Sequence, residues 1–143
     1  MSKKSEWKKK VFLLQVPIYD QDIIVVINGQ LKDGISFLEK MKNINKTGEI
    51  TLAELKKNYM FEKDLVLNSG QARTYASLPH GFIVLLSHQE DFAKTSGVVA
   101  HECLHVVYHI MERVGINFFM NESDEAFTYL LGYLVENILK VMY

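Results

Sequence analysis

His101-Glu102-Cys103-Leu104-His105 is an H-E-x-x-H motif, and an acidic cluster of Glu122, Asp124 and Glu125 follows it. If residues 97–114 are helical, the two histidines stand one above the other on one face, the spacing at which two imidazoles chelate a single Zn²⁺. Glu102 then lies beside the ion and not on it, where a carboxylate can take a proton from water that the metal has activated. The motif points to a hydrolytic centre working at neutral pH.

So short a match also arises by chance on amphipathic helices, so its surroundings carry weight. Ser96 suits an N-cap. Val98, Val99, Leu104, Val107, Tyr108, Met111 and Val114 make the helix apolar on most sides, and Gly115 suits its stop. Two histidines and a glutamate within such a helix need a compensating partner, and a metal supplies one. The competing reading is a pair of satisfied core histidines. Cys103 falls on the other side of the helix and reads as a buried apolar filler.

A catalytic zinc site uses three protein ligands and keeps one position open. After Gly115 a short link, residues 116–120, leads to a second helical pattern from about residue 122 to 142. On it Glu125, Tyr129 and Gly132 fall at i, i+4 and i+7 and share a stripe, with the glycine able to let two helices approach closely. Glu125 is the expected third ligand and Glu122, one turn earlier, its rival. Asp124 points about 100° away and suits a supporting bond to a ligand histidine's far N–H. All three acids also suit simple compensation of a helix dipole. His109 continues the series His101, His105, but lies about 6 Å further along a straight helix, which suits a supporting or core role.

The H-E-x-x-H, the glycine ending its helix and the glutamate on the next helix together resemble the gluzincin clan of zinc peptidases. In thermolysin-like members the ligand glutamate follows the second histidine at the separation of Glu125 from His105. The chain from Val11 to Tyr143 is also similar to small proteins of bacteriophages and prophages. They share a strand, H-E-x-x-H, a link like Val114-Gly115-Ile116, and a stretch like Glu125-Ala126-Phe127-Thr128-Tyr129-Leu130-Leu131-Gly132-Tyr133. The resemblance implies a zincin-like fold, Zn²⁺ on His101, His105 and Glu125, and Glu102 as general base. The larger gluzincins' N-E-x-x-x-D signature and substrate-binding subdomain are absent.

At 143 residues, 48% hydrophobic and 23% charged, the sequence suits one globular domain over residues 11–143. A net charge of −1 gives no case for nucleic acid. Lys3, Lys4, Lys8, Lys9 and Lys10 around Trp7 read as a basic flexible terminus, residues 1–10. The apolar run 11–19 carries Gln15 and Pro17 and lacks a small-residue cleavage site, so it does not read as a signal peptide. Glu136 and Asn137 interrupt the last apolar helix, which excludes a membrane span there. A lone cysteine fits a reducing cytoplasm, that of a host cell if the chain is phage-encoded.

Residues 11–19, 23–28, 72–77 and 81–87 read as strands, 31–41 as a helix and 51–58 as a short helix with a capping box from Thr51 to Glu54. Residues 43–54 follow the EF-hand template, but Asn43, Asn45 and Thr47 bring no charge, and a turn with a capped helix accounts for them better than calcium. The expected fold is α+β and zincin-like: a small, mostly antiparallel sheet packed on two long helices that share the metal. Phe82, Ile83, Val84 and Leu85 are expected to line the cleft and pair with an extended peptide or protein substrate. Tyr129, Tyr108, His80 and His88 are candidate donors to an oxyanion, Tyr129 being preferred. The expected chemistry is zinc-dependent peptide hydrolysis. The rivals are a catalytically silent, zinc-stabilised module that holds a partner peptide, and hydrolysis of a non-peptide amide.

Overall fold

Residues 23–27 and 82–86 are unbroken apolar runs, a pattern that suits strands covered on both faces. The computed structural model describes residues 7–40, 73–78, 81–117 and 123–143, and both runs lie at the centre of its sheet. The strands are β1 (Lys10–Val16), β2 (Gln21–Ile27), β3 (Arg73–Leu78) and β4 (Gly81–Leu86), in the order β1-β2-β4-β3. β1 pairs antiparallel with β2, β2 parallel with β4, and β4 antiparallel with β3. The helices are α1 (Leu31–Lys40), α2 (Phe92–Arg113) and α3 (Asp124–Met142).

Side chains alternate between two cores. Ile23, Val25, Ile27, Phe82, Val84 and Leu86 pack with α2 and α3, through residues such as Cys103, Val107, Ile110, Leu130 and Leu134. Ile24, Val26, Ile83 and Leu85 pack with Leu31, Ile35 and Leu38 of α1. The α+β class and the two long helices match the sequence reading. The described sheet is mostly antiparallel, as expected, but its central pairing is parallel, and α1 covers the face opposite α2 and α3.

α1 approaches the sheet closely at Gly34, where a Cβ would stand 3.0 Å from Ile83 Cγ2 and 3.2 Å from Val26 Cγ2. Its start is fastened by Asp33, which accepts from the Gln30 backbone N–H at 2.8 Å and from Lys9 Nζ at 2.9 Å. Partial burial alone would raise the Asp33 carboxyl, but these donors outweigh it and hold it below the ordinary 3.8. The first strand stops at Val16, earlier than expected, because Pro17–Tyr19 form a 3₁₀ turn closed by Asp20 in the left-handed region.

α2 begins five residues earlier than expected. Its N-cap is Asp91, whose carboxylate accepts from the Lys94 backbone N–H at 2.8 Å, and not Ser96. It ends as expected at Gly115, where φ is 76° and the Ile116 and Gly115 N–H groups return to Met111 and Glu112 carbonyls. Residues 7–10, expected in a loose terminus, belong to the fold: Trp7 stacks on His88, Lys9 meets Asp33 and Lys10 reaches the Val141 carbonyl. The EF-hand-like loop, the capping-box helix, His80 and Glu122 lie outside the described residues. Among the described residues no helix is long and apolar enough to cross a membrane.

Replacing Gly34 by valine drives a branched side chain into fully buried Val26 and Ile83. We expect a stability loss of roughly 1–3 kcal/mol in urea denaturation, against little change for valine at exposed Gly97.

Candidate metal centre

One side of α2 must be buried against the sheet and α3, and Thr95, Val99, Glu102, Cys103, Val106, Val107, Ile110 and Met111 take that side. His101, Leu104, His105, Tyr108 and Glu112 are thereby left on the exposed side. The histidine rings meet edge to face with centroids 4.9 Å apart, and their Nε2 atoms are separated by 3.2 Å. Two nitrogens bound to one tetrahedral zinc at 2.0–2.1 Å lie roughly 3.3 Å apart. The separation therefore matches the spacing of two ligand positions. With neutral rings the same contact is satisfied when one Nε2–H donates to the other Nε2.

Glu102 is 7% exposed, and its Oε1 lies 4.0 Å from His101 Nε2. A carboxylate there is one water away from anything held by the imidazoles, which is the reach a general base needs. Cys103, next in sequence, is buried. Burial and then the Glu102 charge push its thiol up to about 12, so neither thiolate ligation nor nucleophilic chemistry falls to it. His109 is half-buried, its ring 6.1 Å from that of Phe82, which suits the core role expected of it.

The structure does not bring Glu125 to the histidines. α3 buries Phe127, Leu130, Leu134, Ile138 and Met142, and Glu125 lies about half a turn round from Leu134, exposed to solvent. Among the described residues no group of three His, Cys, Asp or Glu side chains could hold a metal ion. A Cβ on Gly132 would meet nothing within 4 Å, so this glycine does not serve a close helix contact. Tyr129 is 75% exposed. It lines an apolar groove of about 530 Å³ with Pro17, Ile18, Tyr19, Leu130 and Tyr133, beside the β1–β2 turn.

Two further expectations change. Phe82, Ile83, Val84 and Leu85 are fully buried, and β4 is paired along both edges, so that strand has no free edge for a peptide. The outer edges of the described sheet belong to its two terminal strands, β1 and β3. His88 is held for structural work. Its Nδ1 accepts from Asn28 Nδ2 at 2.9 Å, its Nε2–H donates to the Met142 carbonyl at 3.0 Å, and its ring lies between Trp7 and Tyr143. Asn28 Oδ1 accepts from the His88 backbone N–H, which fixes the amide's orientation and hence the ring's tautomer.

No family model, curated protein or solved structure matches the chain. The site thus stands on its own residues. Sequence reasoning counted Leu104 and Tyr108 among the residues that make the helix apolar on most sides, and they are 42% and 48% exposed beside the histidines. A stricter helical projection of α2 carries that signal, because both fall on the His101 side and away from Val99, Val106 and Ile110.

Replacing His88 by alanine should cost roughly 1–2 kcal/mol of stability, since it strips partners from Asn28 and the Met142 carbonyl. Zinc affinity measured by calorimetry should be unchanged. A weakened affinity would place His88 in the metal centre.

Proposed function

We propose that the chain is a zinc-dependent hydrolase of peptide bonds. His101 and His105 are two of its metal ligands, Glu102 is its general base, and Glu125 is the third ligand. The supporting observation is the 3.2 Å Nε2 separation with a buried carboxylate beside it. Bound zinc supplies a Lewis acid that polarises a carbonyl and brings the pKa of water to about 7.

The chain's residues do the rest. The two imidazoles, one helical turn apart, form a chelate whose geometry α2 fixes in advance. Glu102 takes the proton of the attacking water and passes it to the leaving amine. Its low exposure restricts its rotamers and strengthens its field at the reacting atoms. Tyr108 shares the histidine face and packs edge to face on Phe127 of α3, which supports it over Tyr129 as a donor to the developing oxyanion.

Drawing in Glu125 requires the first turn of α3 to rewind. Ser123, at the N-cap, makes no side-chain cap bond to this turn and donates instead to the Asn117 carbonyl at 2.6 Å. An extended substrate would add to the outer edge of β3, with that one strand between it and the central pair.

The rival is a zinc-stabilised module that binds a partner peptide without cutting it. Glu102→Gln separates the two. For a hydrolase it should leave zinc affinity intact and lower kcat by about 10²-fold or more on a peptide library read by mass spectrometry. Undiminished turnover in the variant contradicts the mechanism. Equal peptide binding by both proteins with cleavage by neither favours the module.

A further inference from the structure

Trp7, His88, Phe92 and Tyr143 form an aromatic cluster that is part of neither core. Trp7 stacks on His88 with ring centroids 4.3 Å apart. Tyr143 meets His88 edge to face at 5.2 Å and Phe92 at 5.0 Å. The rings come from the segment before β1, the segment after β4, the first residue of α2 and the residue that caps the end of α3. Hydrogen bonds join the same places. His88 Nε2–H donates to the Met142 carbonyl at 3.0 Å, and Lys10 Nζ donates to the Val141 carbonyl at 2.8 Å. Both carbonyls lie at the end of α3, where the helix has no N–H to offer them, and the helix dipole favours the Lys10 charge. Asn28 Nδ2 donates to His88 Nδ1 at 2.9 Å and reaches the Lys8 carbonyl at 3.4 Å.

We propose that residues 7–10 and this cluster are a clasp that fastens the end of α3 to the start of α2, and that it opens as one unit while both cores stay closed. His88 is shared by Trp7, Asn28, Met142 and Tyr143, so their contacts loosen together. Opening brings little new apolar surface into water, because Phe92 and Tyr143 are already 58% and 59% exposed. Lys8, Lys9 and Lys10 are exposed as well. The packing of α2 on α3 through Val107, Ile110, Leu130 and Leu134 lies in the core and survives. Few buried contacts and exposed hydrogen bonds mark a region that opens at a lower free energy than the whole domain. The chain itself joins the other ends of the two helices, between Arg113 and Asp124, and the clasp fastens the opposite pair of ends. When it opens, the last turn of α3 lifts and bares the Val141 and Met142 carbonyls. No metal is required for this.

Hydrogen exchange of the full chain, read amide by amide in rising urea, tests the clasp. Wild-type amides 141–143 should be protected, yet exchange faster than those of Val106, Val107 and Ile110 and with a weaker dependence on urea. Trp7→Ala should speed exchange at 141–143 roughly 2- to 10-fold, the loss expected of one aromatic pair. Phe92→Ala should shift the emission of Trp7, the single tryptophan, to the red, since the two rings are joined through Tyr143 and His88. Gly34→Val, under the other face of the sheet, should speed exchange at 106, 107 and 110 and leave 141–143 unchanged. Exchange at 141–143 that ignores Trp7→Ala overturns the clasp, because residue 7 then holds nothing there. Exchange there that matches the core, or that Gly34→Val speeds as much, also overturns it, because the opening is then that of the whole domain. Unprotected amides at 141–143 in the wild type, or Trp7 emission that Phe92→Ala leaves unchanged, would do the same.

Discussion

The parallel pairing of β2 with β4 is the constraint on which the rest of the structure depends. Both strands are apolar on both faces, so neither can sit at a solvated surface, and helices must cover the pair from above and below. α1 closes one side, with Gly34 allowing its approach to Val26 and Ile83. α2 and α3 close the other. Once α2 has committed Val99, Cys103, Val106, Val107, Ile110 and Met111 to that core, its turn of 3.6 residues leaves His101 and His105 no place but the outside. The histidine pair is thus presented as a by-product of burying the sheet, on an element too well packed to shift.

That origin explains the character of the centre. The Glu102 carboxylate is anchored at the edge of the core while the two imidazoles face outward, so under the proposed reading two ligand positions and the base would be fixed before any ion or substrate arrives. Under the proposed reading the remaining coordination positions would fall to a further ligand and to water.

Much of this was legible in the sequence. The presence of α2 and α3, the glycine stop at residue 115, the placement of Glu102 beside the histidine stripe and the presence of all four strands follow from period and capping chemistry, while the start of α2 does not. Strand partnership was not legible, because a parallel pair joins residues about sixty apart and local pattern holds no record of it; the continuous apolar runs were the available hint. That the structure turns Glu125 away from the histidines was not legible for a different reason. Its spacing to Tyr129 and Gly132 is helical, but Phe127, Leu130, Leu134 and Ile138 form a heavier apolar stripe on the opposite side, and burial of that stripe decides which way the helix turns. Asp91 and Ser96 are both sound N-caps, and the choice fell to Asp91 because Thr95 behind it is itself fully buried within the helix. His88 looked available for chemistry because nothing nearby in sequence announces Asn28 or Met142 as its partners.

X-ray absorption at the zinc edge, on the reconstituted full chain beside a His105→Ala variant, tests most directly whether His101 and His105 form a metal centre. The wild type should show a four-coordinate shell of nitrogen and oxygen at about 2.0–2.1 Å with the outer scattering of at least two imidazoles, and the variant should lose it. A shell of oxygen alone, or a spectrum that the variant leaves unchanged, would contradict it.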